Sequence, residues 1–367
     1  MLGRRAFALL SFGLVGSAGW LTSSCAGGLH SATLVDTVRI LASSADQPYA
    51  QPQSTVTVRV LAVDGRPQRP APMTLEWLPF VCENPANDAY YACFPQMAQQ
   101  IAQAASAPAG GAAAAIAPVT GCGGVGPAPG AAAALRPGTD LTPALIGGDC
   151  AQFTMPADAI TSHASSPPAP IPYGLAILFN AACAGHLELV PLDPNNVQAP
   201  PIGCFDAQHN QLGPDDWVFG FTRVYAYASL KNENPVIDSI DVNGTAYDPQ
   251  ALAEAGFSVA SCGGSCSAVH IGPVVDARSW ELNPEAKDMN GNTIHEEIWA
   301  DFFSTFGSFN SDARLLFDPV AGSVGGPGDT DAQFQPPGSP GDGTIWIIVH
   351  DNRGGASWAS VPVHVTP

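Results

Sequence analysis

The chain has 367 residues, of which 38 are Gly, 35 are Pro and only 12% are charged, so it has apolar side chains enough for real cores but too many breakers for a helical protein. Its 13 basic and 32 acidic residues give a formal charge of −19. The only lysines, Lys231 and Lys287, leave no cluster of cations to displace counterions from a polyanion, which argues against nucleic acid as a partner.

Met1 to Arg5 is a short basic start, and Ala6 to Trp20 is an uncharged apolar run. The run falls short of the roughly 20 residues that span a bilayer but suits the core of a signal peptide. Leu21-Thr22-Ser23-Ser24-Cys25 follows at once and resembles the lipobox of bacterial lipoproteins, although Thr22 stands where a lipobox favours Leu. The resemblance implies a signal peptide over 1–25, a lipid on Cys25 that makes the bilayer a partner, and a flexible tether over 26–34. Ordinary signal-peptidase cleavage after Ala26, giving a secreted chain, is the alternative. Arg4-Arg5 is similar to a twin-arginine export signal, but a cysteine-rich chain favours export in the unfolded state.

There are nine cysteines. Setting Cys25 aside leaves eight, an even number suited to disulfides in an oxidising compartment. Sequential pairing is the economical choice among about 105 connectivities: Cys82–Cys93, Cys122–Cys150, Cys183–Cys204 and Cys262–Cys266. Each of the first three would contribute about 3 kcal/mol by closing a loop. Cys262, Cys266 and His270 also make a Cys-x3-Cys-x3-His pattern, which is short of the four ligands of structural zinc, so a disulfide is expected there too.

Val38–Ala42 and Thr55–Val63 alternate in period two, with Val56, Val58 and Val60 against Thr55, Thr57 and Arg59, the mark of half-buried strands. After Asp64-Gly65-Arg66-Pro67, Met73, Leu75 and Trp77 alternate with Thr74 and Glu76. Two strands, a turn and a strand bearing Trp resemble the opening of an immunoglobulin-like sandwich. An insertion over about 80–150 comes next, with a helix predicted over Pro95–Ser106 and a low-complexity Ala/Gly/Pro stretch from Ala107 to Gly148. That stretch has too little side-chain surface to order itself and is expected to be a mobile loop held by cysteines. Strands return at Phe153–Met155, at the apolar run Tyr173–Cys183, expected to be covered on both faces, and at Trp217–Ser229.

Asn232–Pro235 marks a boundary, so the first sandwich is expected over 35–231 and the second over 232–367. In the second, Asn243-Gly244 signals a tight turn, and Asp248-Pro249 opens a short helix that Gly256 ends. Glu297–Thr305 reads as a strand, and Thr344–His350 and Ser357–Val365 flank a glycine-containing hairpin turn. This ending and the turn over 287–292 resemble bacterial Ig-like and PKD-type domains. Taken whole, the chain resembles predicted lipoproteins of Gram-negative bacteria built from tandem sandwiches of that kind. The resemblance implies a mainly β fold of two immunoglobulin-like sandwiches and a place in the cell envelope, at the outer membrane, and it carries no activity.

No residue is assigned a catalytic, cofactor-binding or metal-binding role. Gly355-Ala356-Ser357-Trp358-Ala359 matches a hydrolase elbow in letters but lies on a predicted strand, and His295-Glu296-Glu297 lacks the second histidine of a zinc helix. Asp288, Asn290, Gly291 and Asn292 read as a turn. Asp215, Asp216, Asp329, Asp331 and Asp342 are the candidate calcium ligands, with solvated acidic loops as the default. The expected function is a non-catalytic envelope or surface module whose loops contact another envelope component or an extracellular polymer, whether protein or polysaccharide. Tyr90 and Tyr91, in the loop Glu83–Cys93, are the candidate binding residues, unless they pack beneath the insertion. A structural spacer, or an enzyme whose site assembles from distant segments, are the alternatives.

Overall fold

The computed structural model describes residues 31–106, 119–124, 138–164, 171–193, 195–326 and 328–367. The export segment, the expected lipid-bearing Cys25 and most of the tether lie outside the described residues, as does much of the low-complexity stretch. Ala32–Pro367 forms one unit, mainly β, in which two pairs of sheets each enclose an apolar core. Among the described residues no helix is long and apolar enough to cross a membrane.

In the first pair, a four-stranded sheet runs in the order Val38–Ala45, Thr55–Asp64, Cys150–Thr154, Val119–Gly121. It faces a five-stranded sheet ordered Tyr49–Ala50, Trp217–Ala226, Gly174–Cys183, Thr74–Glu83, Ile146–Gly147. The period-two pattern places the side chains as expected: Val56, Val58 and Val60 are buried while Thr55 and Arg59 face solvent. Trp77 points into the same core, and its indole donates to the carbonyl of Gly148 at 2.9 Å.

All ten residues of Gly174–Cys183 are buried. Ala176 and Leu178 face the core between the sheets, whereas Leu175, Ile177, Phe179 and Cys183 face a second cluster on the outside. The helix Phe94–Ser106 closes that outer cluster through Phe94 and Met97, each contributing about 2 kcal/mol by burial. The insertion is therefore partly a roof. Within the stretch expected to be mobile, Val119–Gly121 pairs with Cys150–Thr154 as an edge strand, and Leu141, Leu145 and Ile146 are buried. These few apolar residues, tied down by the Cys122–Cys150 disulfide, order segments that composition alone assigns to a loop.

The second pair sets a five-stranded sheet, with Ile237–Val242 and Val269–Val275 at its centre, against a six-stranded sheet. The latter centres on Ile298–Ser304, Gly341–Asp351 and Ala356–Thr366. Ile345, Ile347 and Val349 alternate into the core opposite Ile240, Ile271 and Phe334. The short helix Pro249–Ala255 starts where Asp248 accepts from the Ala251 amide at 2.8 Å and ends at Gly256, whose φ of 64° a side chain would strain.

The sheet pairs meet over a hydrogen-bonded seam. Ser44 Oγ donates to the carbonyl of Ala356 at 2.6 Å, and Asn234 bonds both strands, donating to Ala45 O and accepting from Ala356 N. Before its first long strand the chain also crosses to the second pair, where the Val35 amide donates to Ser304 O and the Ser304 amide to Thr33 O, both at 2.8 Å. Residues 32–34, at the end of the expected tether, are thus docked instead of free, because their backbone groups find partners beside Ser304.

Glu76 lies on Thr74–Glu83 beside Gly147 and is only 6% exposed. Burial, reinforced by the charge of Asp140, pushes its carboxyl up to about 7. The folded chain therefore binds a proton that the unfolded chain releases, and this contribution is full at acid pH and lost as pH rises toward about 7. Urea unfolding should show lower stability at pH 8 than at pH 5, and Glu76→Gln should flatten that slope and gain about 2 kcal/mol at the higher pH.

Candidate functional site

The four disulfides join the expected sequential partners: Cys82–Cys93, Cys122–Cys150, Cys183–Cys204 and Cys262–Cys266. The sulfurs of Cys262 and Cys266 are thus bonded to each other, and His270 turns instead to Asp331, at 2.5 Å. The candidate calcium ligands are engaged singly: Asp216 by Arg66 at 2.9 Å, Asp331 by His270, and Asp342 by His364 at 2.7 Å. Asp288 caps a turn by accepting from the amides of Asn290 and Asn292. Among the described residues, none of these aspartates belongs to a group of three side chains within reach of one ion. Ser357 lies on the strand Ala356–Thr366.

Tyr90 and Tyr91 lie on a single 3-10 turn, Tyr90–Cys93, which the Cys82–Cys93 bridge fastens to the sheet. Both are half-buried against the outer cluster. The ring of Tyr90 stacks on Phe221 at 4.4 Å and meets Tyr91 edge-on at 5.6 Å. Phe221 also lines a cleft of about 470 Å³ at the seam between the sheet pairs.

One face of a strand end supplies much of the cleft wall. Phe221, Arg223, Tyr225 and Tyr227 are spaced by two, so the pleat aims them the same way. Tyr49 arrives from the short strand that pairs with Tyr225 and Ala226, and its ring lies 4.5 Å from that of Tyr227 and 6.1 Å from that of Tyr225. Tyr173 joins the tyrosine group at 5.8 Å from Tyr225. Across the cleft stand Glu285 and the turn residues Asn352 and Arg353.

The phenols are held as neutral donors. Tyr49 and Tyr227 donate to the two oxygens of Glu285 at 3.1 and 3.0 Å, and Tyr173 donates to Asp88 at 2.5 Å, where His163 also bonds at 2.9 Å. Burial pushes Tyr49 up to about 12, and burial first, then Asp88, raises Tyr173. The rim is wetter: Arg223, Glu285 and Asn352 are exposed, and Arg223 lies 4.8 Å above the ring of Phe221. Two buried polar atoms on lining residues, Thr222 Oγ1 and Arg353 Nε, have no hydrogen-bond partner. The arrangement offers hydrogen bonds from fixed positions in a polar, aromatic-edged groove.

Arg353 holds this groove together from behind. Only 3% of its side chain is exposed, and it pairs with Glu281 at 3.2 Å and Glu296 at 3.4 Å, bonds the carbonyl of Lys231, and covers the ring of Tyr49 at 4.8 Å. Burial first, and then neighbouring Asp351, pushes Glu296 up to about 7, against the pull of Arg353. Asp351 in turn shapes the turn, accepting from the amides of Arg353 and Gly355 at 2.7 Å and from Asn232 at 3.0 Å. Arg353→Met strands two carboxylates and should cost about 3 kcal/mol in urea unfolding, part of which Glu296→Gln should restore in the double variant.

The sequence pointed to a strand over Trp217–Ser229 without singling out its face of Phe221, Arg223, Tyr225 and Tyr227, and no local signal brings Tyr49, Glu285 or Arg353 to them. No family model matches the chain, and no curated protein matches it. Among solved structures, the D00-D0 domain of intimin is similar over 89% of this chain and 100% of its own, at 9% identity and a TM-score of 0.20.

Proposed function

We propose that the chain is a non-catalytic binding module of the bacterial cell envelope that takes a polysaccharide in the tyrosine cleft. The observation that carries the reading is an open groove of tyrosine rings and fixed hydrogen-bonding groups, rimmed by the exposed side chains of Arg223, Glu285 and Asn352. A ligand dense in hydroxyls, each both donor and acceptor, matches the donors of Arg223 and Asn352 and the acceptor oxygens of Glu285. Planar side chains at the rim suit the same groups, and the formal charge of −19 disfavours polyanions.

Four disulfides support maturation in an oxidising space outside the cytosol. On this proposal Cys25 bears the lipid that holds the module at the membrane, and two immunoglobulin-like units meet near residue 232. The cleft would then form between them, where small-molecule and polymer sites commonly lie. Tyr90, stacked on Phe221, shapes one end of the groove and buttresses it, which gives the loop a role in positioning.

Titration calorimetry with oligosaccharides prepared from the surface polysaccharides of the native cell tests this. Binding is expected, with Glu285→Gln and Arg223→Ala each weakening it about tenfold, the equivalent of one hydrogen bond to a charged group. Saturable binding that neither substitution alters would place the ligand elsewhere, and no binding by any of the oligosaccharides would remove the proposal.

A further inference from the structure

Three side chains at the hairpin His186–Leu189/Ile202–Phe205 converge on one point. His186 and Glu188 are two apart on one strand and so share a face. His209 comes back over them from the turn after Phe205. Glu188 Oε1 lies 2.7 Å from His186 Nε2 and 2.5 Å from His209 Nδ1, and the three donor atoms all lie within 4.8 Å of one another. None of the three residues lines the tyrosine cleft.

The frame around them is rigid. The Cys183–Cys204 bridge fastens the hairpin to the central strand, with Cys204 directly opposite Leu187 between the two ligand positions. Gly185 lies so close to Phe205 that a Cβ there would come within 2.1 Å of its carbonyl oxygen. Asp206 pins the turn, its Oδ1 accepting from the amides of Gln208 at 2.8 Å and Asn210 at 2.9 Å. The turn holds His209 at a φ of 60°, a conformation that costs a non-glycine residue on the order of 1 kcal/mol. Glu188 is 5% exposed and His209 61% exposed, so the carboxylate is sheltered while the site opens to solvent on the His209 side.

We propose that His186, Glu188 and His209 bind a divalent first-row transition ion of the zinc class, with water completing its coordination. Two imidazole nitrogens and one carboxylate oxygen are the donor set such an ion prefers over calcium or magnesium. Bond lengths of about 2.0 Å place tetrahedral ligand atoms about 3.3 Å apart, so the rings need move outward by less than about 1 Å. The ion takes the place of the contacts that the two rings now make with Glu188, with the N–H of each neutral ring on the nitrogen turned away from the ion. His186 and His209 anchor opposite sides of the hairpin end, so the bound ion cross-links the turn to the strand beside the disulfide.

Zinc titration of the full chain against a chromogenic chelator tests the assignment. One ion per chain is expected, with His209→Ala weakening zinc binding more than about 100-fold and His364→Ala, at another histidine–carboxylate pair, leaving it unchanged. The Co2+ form of the wild-type chain should show the visible absorption of a low-symmetry nitrogen–oxygen site, a readout that needs no variant. Absence of one-to-one binding, or affinity unaltered by His209→Ala, would overturn the proposal, and polysaccharide binding by the cleft is a separate measurement that either result leaves standing.

Discussion

The strand Gly174–Cys183 is the constraint on which the rest of the first sheet pair depends. Covered on both faces, it must give each alternate side chain to a different core, and nothing polar fits easily among them. Asn180 is the exception, and its side-chain oxygen has no partner. Two cores that share one strand cannot be repaired independently: a change at Phe179 disturbs the roof of helix and turns, while a change at Leu178 disturbs the sheets. The helix Phe94–Ser106 and the disulfide Cys82–Cys93 exist in this fold because the outer face of that strand needs a cover.

Local chemistry made much of this legible. Alternation at Val56, Val58 and Val60 located a strand and its buried face, the apolar run ending at Cys183 announced burial from both sides, and Asp248 with Gly256 delimited a helix to the residue. The cysteine order sufficed for pairing because each bridge closes a neighbouring loop. What remained hidden depends on distant pairings. The ordered pieces of the insertion, such as Val119–Gly121, look like loop because three residues have no periodicity to read. The cleft joins Tyr49, Tyr225, Glu285 and Arg353, which only the meeting of two sheet pairs brings together. His186 and Glu188 fell in a stretch read as a loop between strands, and His209 reaches them through a reversal that one sequence does not encode visibly.

The seam shows how buried charge and buried hydroxyl divide the labour of holding the two sheet pairs together. Neutral phenols stack and donate, so they lose little on leaving water, whereas Arg353 is tolerated through the carboxylates of Glu281 and Glu296 and the carbonyl of Lys231 at its terminal nitrogens. The turn at Asp351–Gly355 is specified by the same group of residues, which makes the geometry of the groove and the stability of the seam one property.

The bond from Val35 to Ser304 has a kinetic meaning. A segment near the start of the body completes its contacts on a strand that leaves the ribosome, and any export channel, long afterwards. The entry point of the amino-terminal sheets is therefore fixed only once the carboxy-terminal half has folded, which makes docking of residues 33–35 a late step. Until Trp217–Ala226 pairs with it, the hydrophobic strand Gly174–Cys183 is exposed, so early closure of the short cysteine loops would raise the yield of native protein.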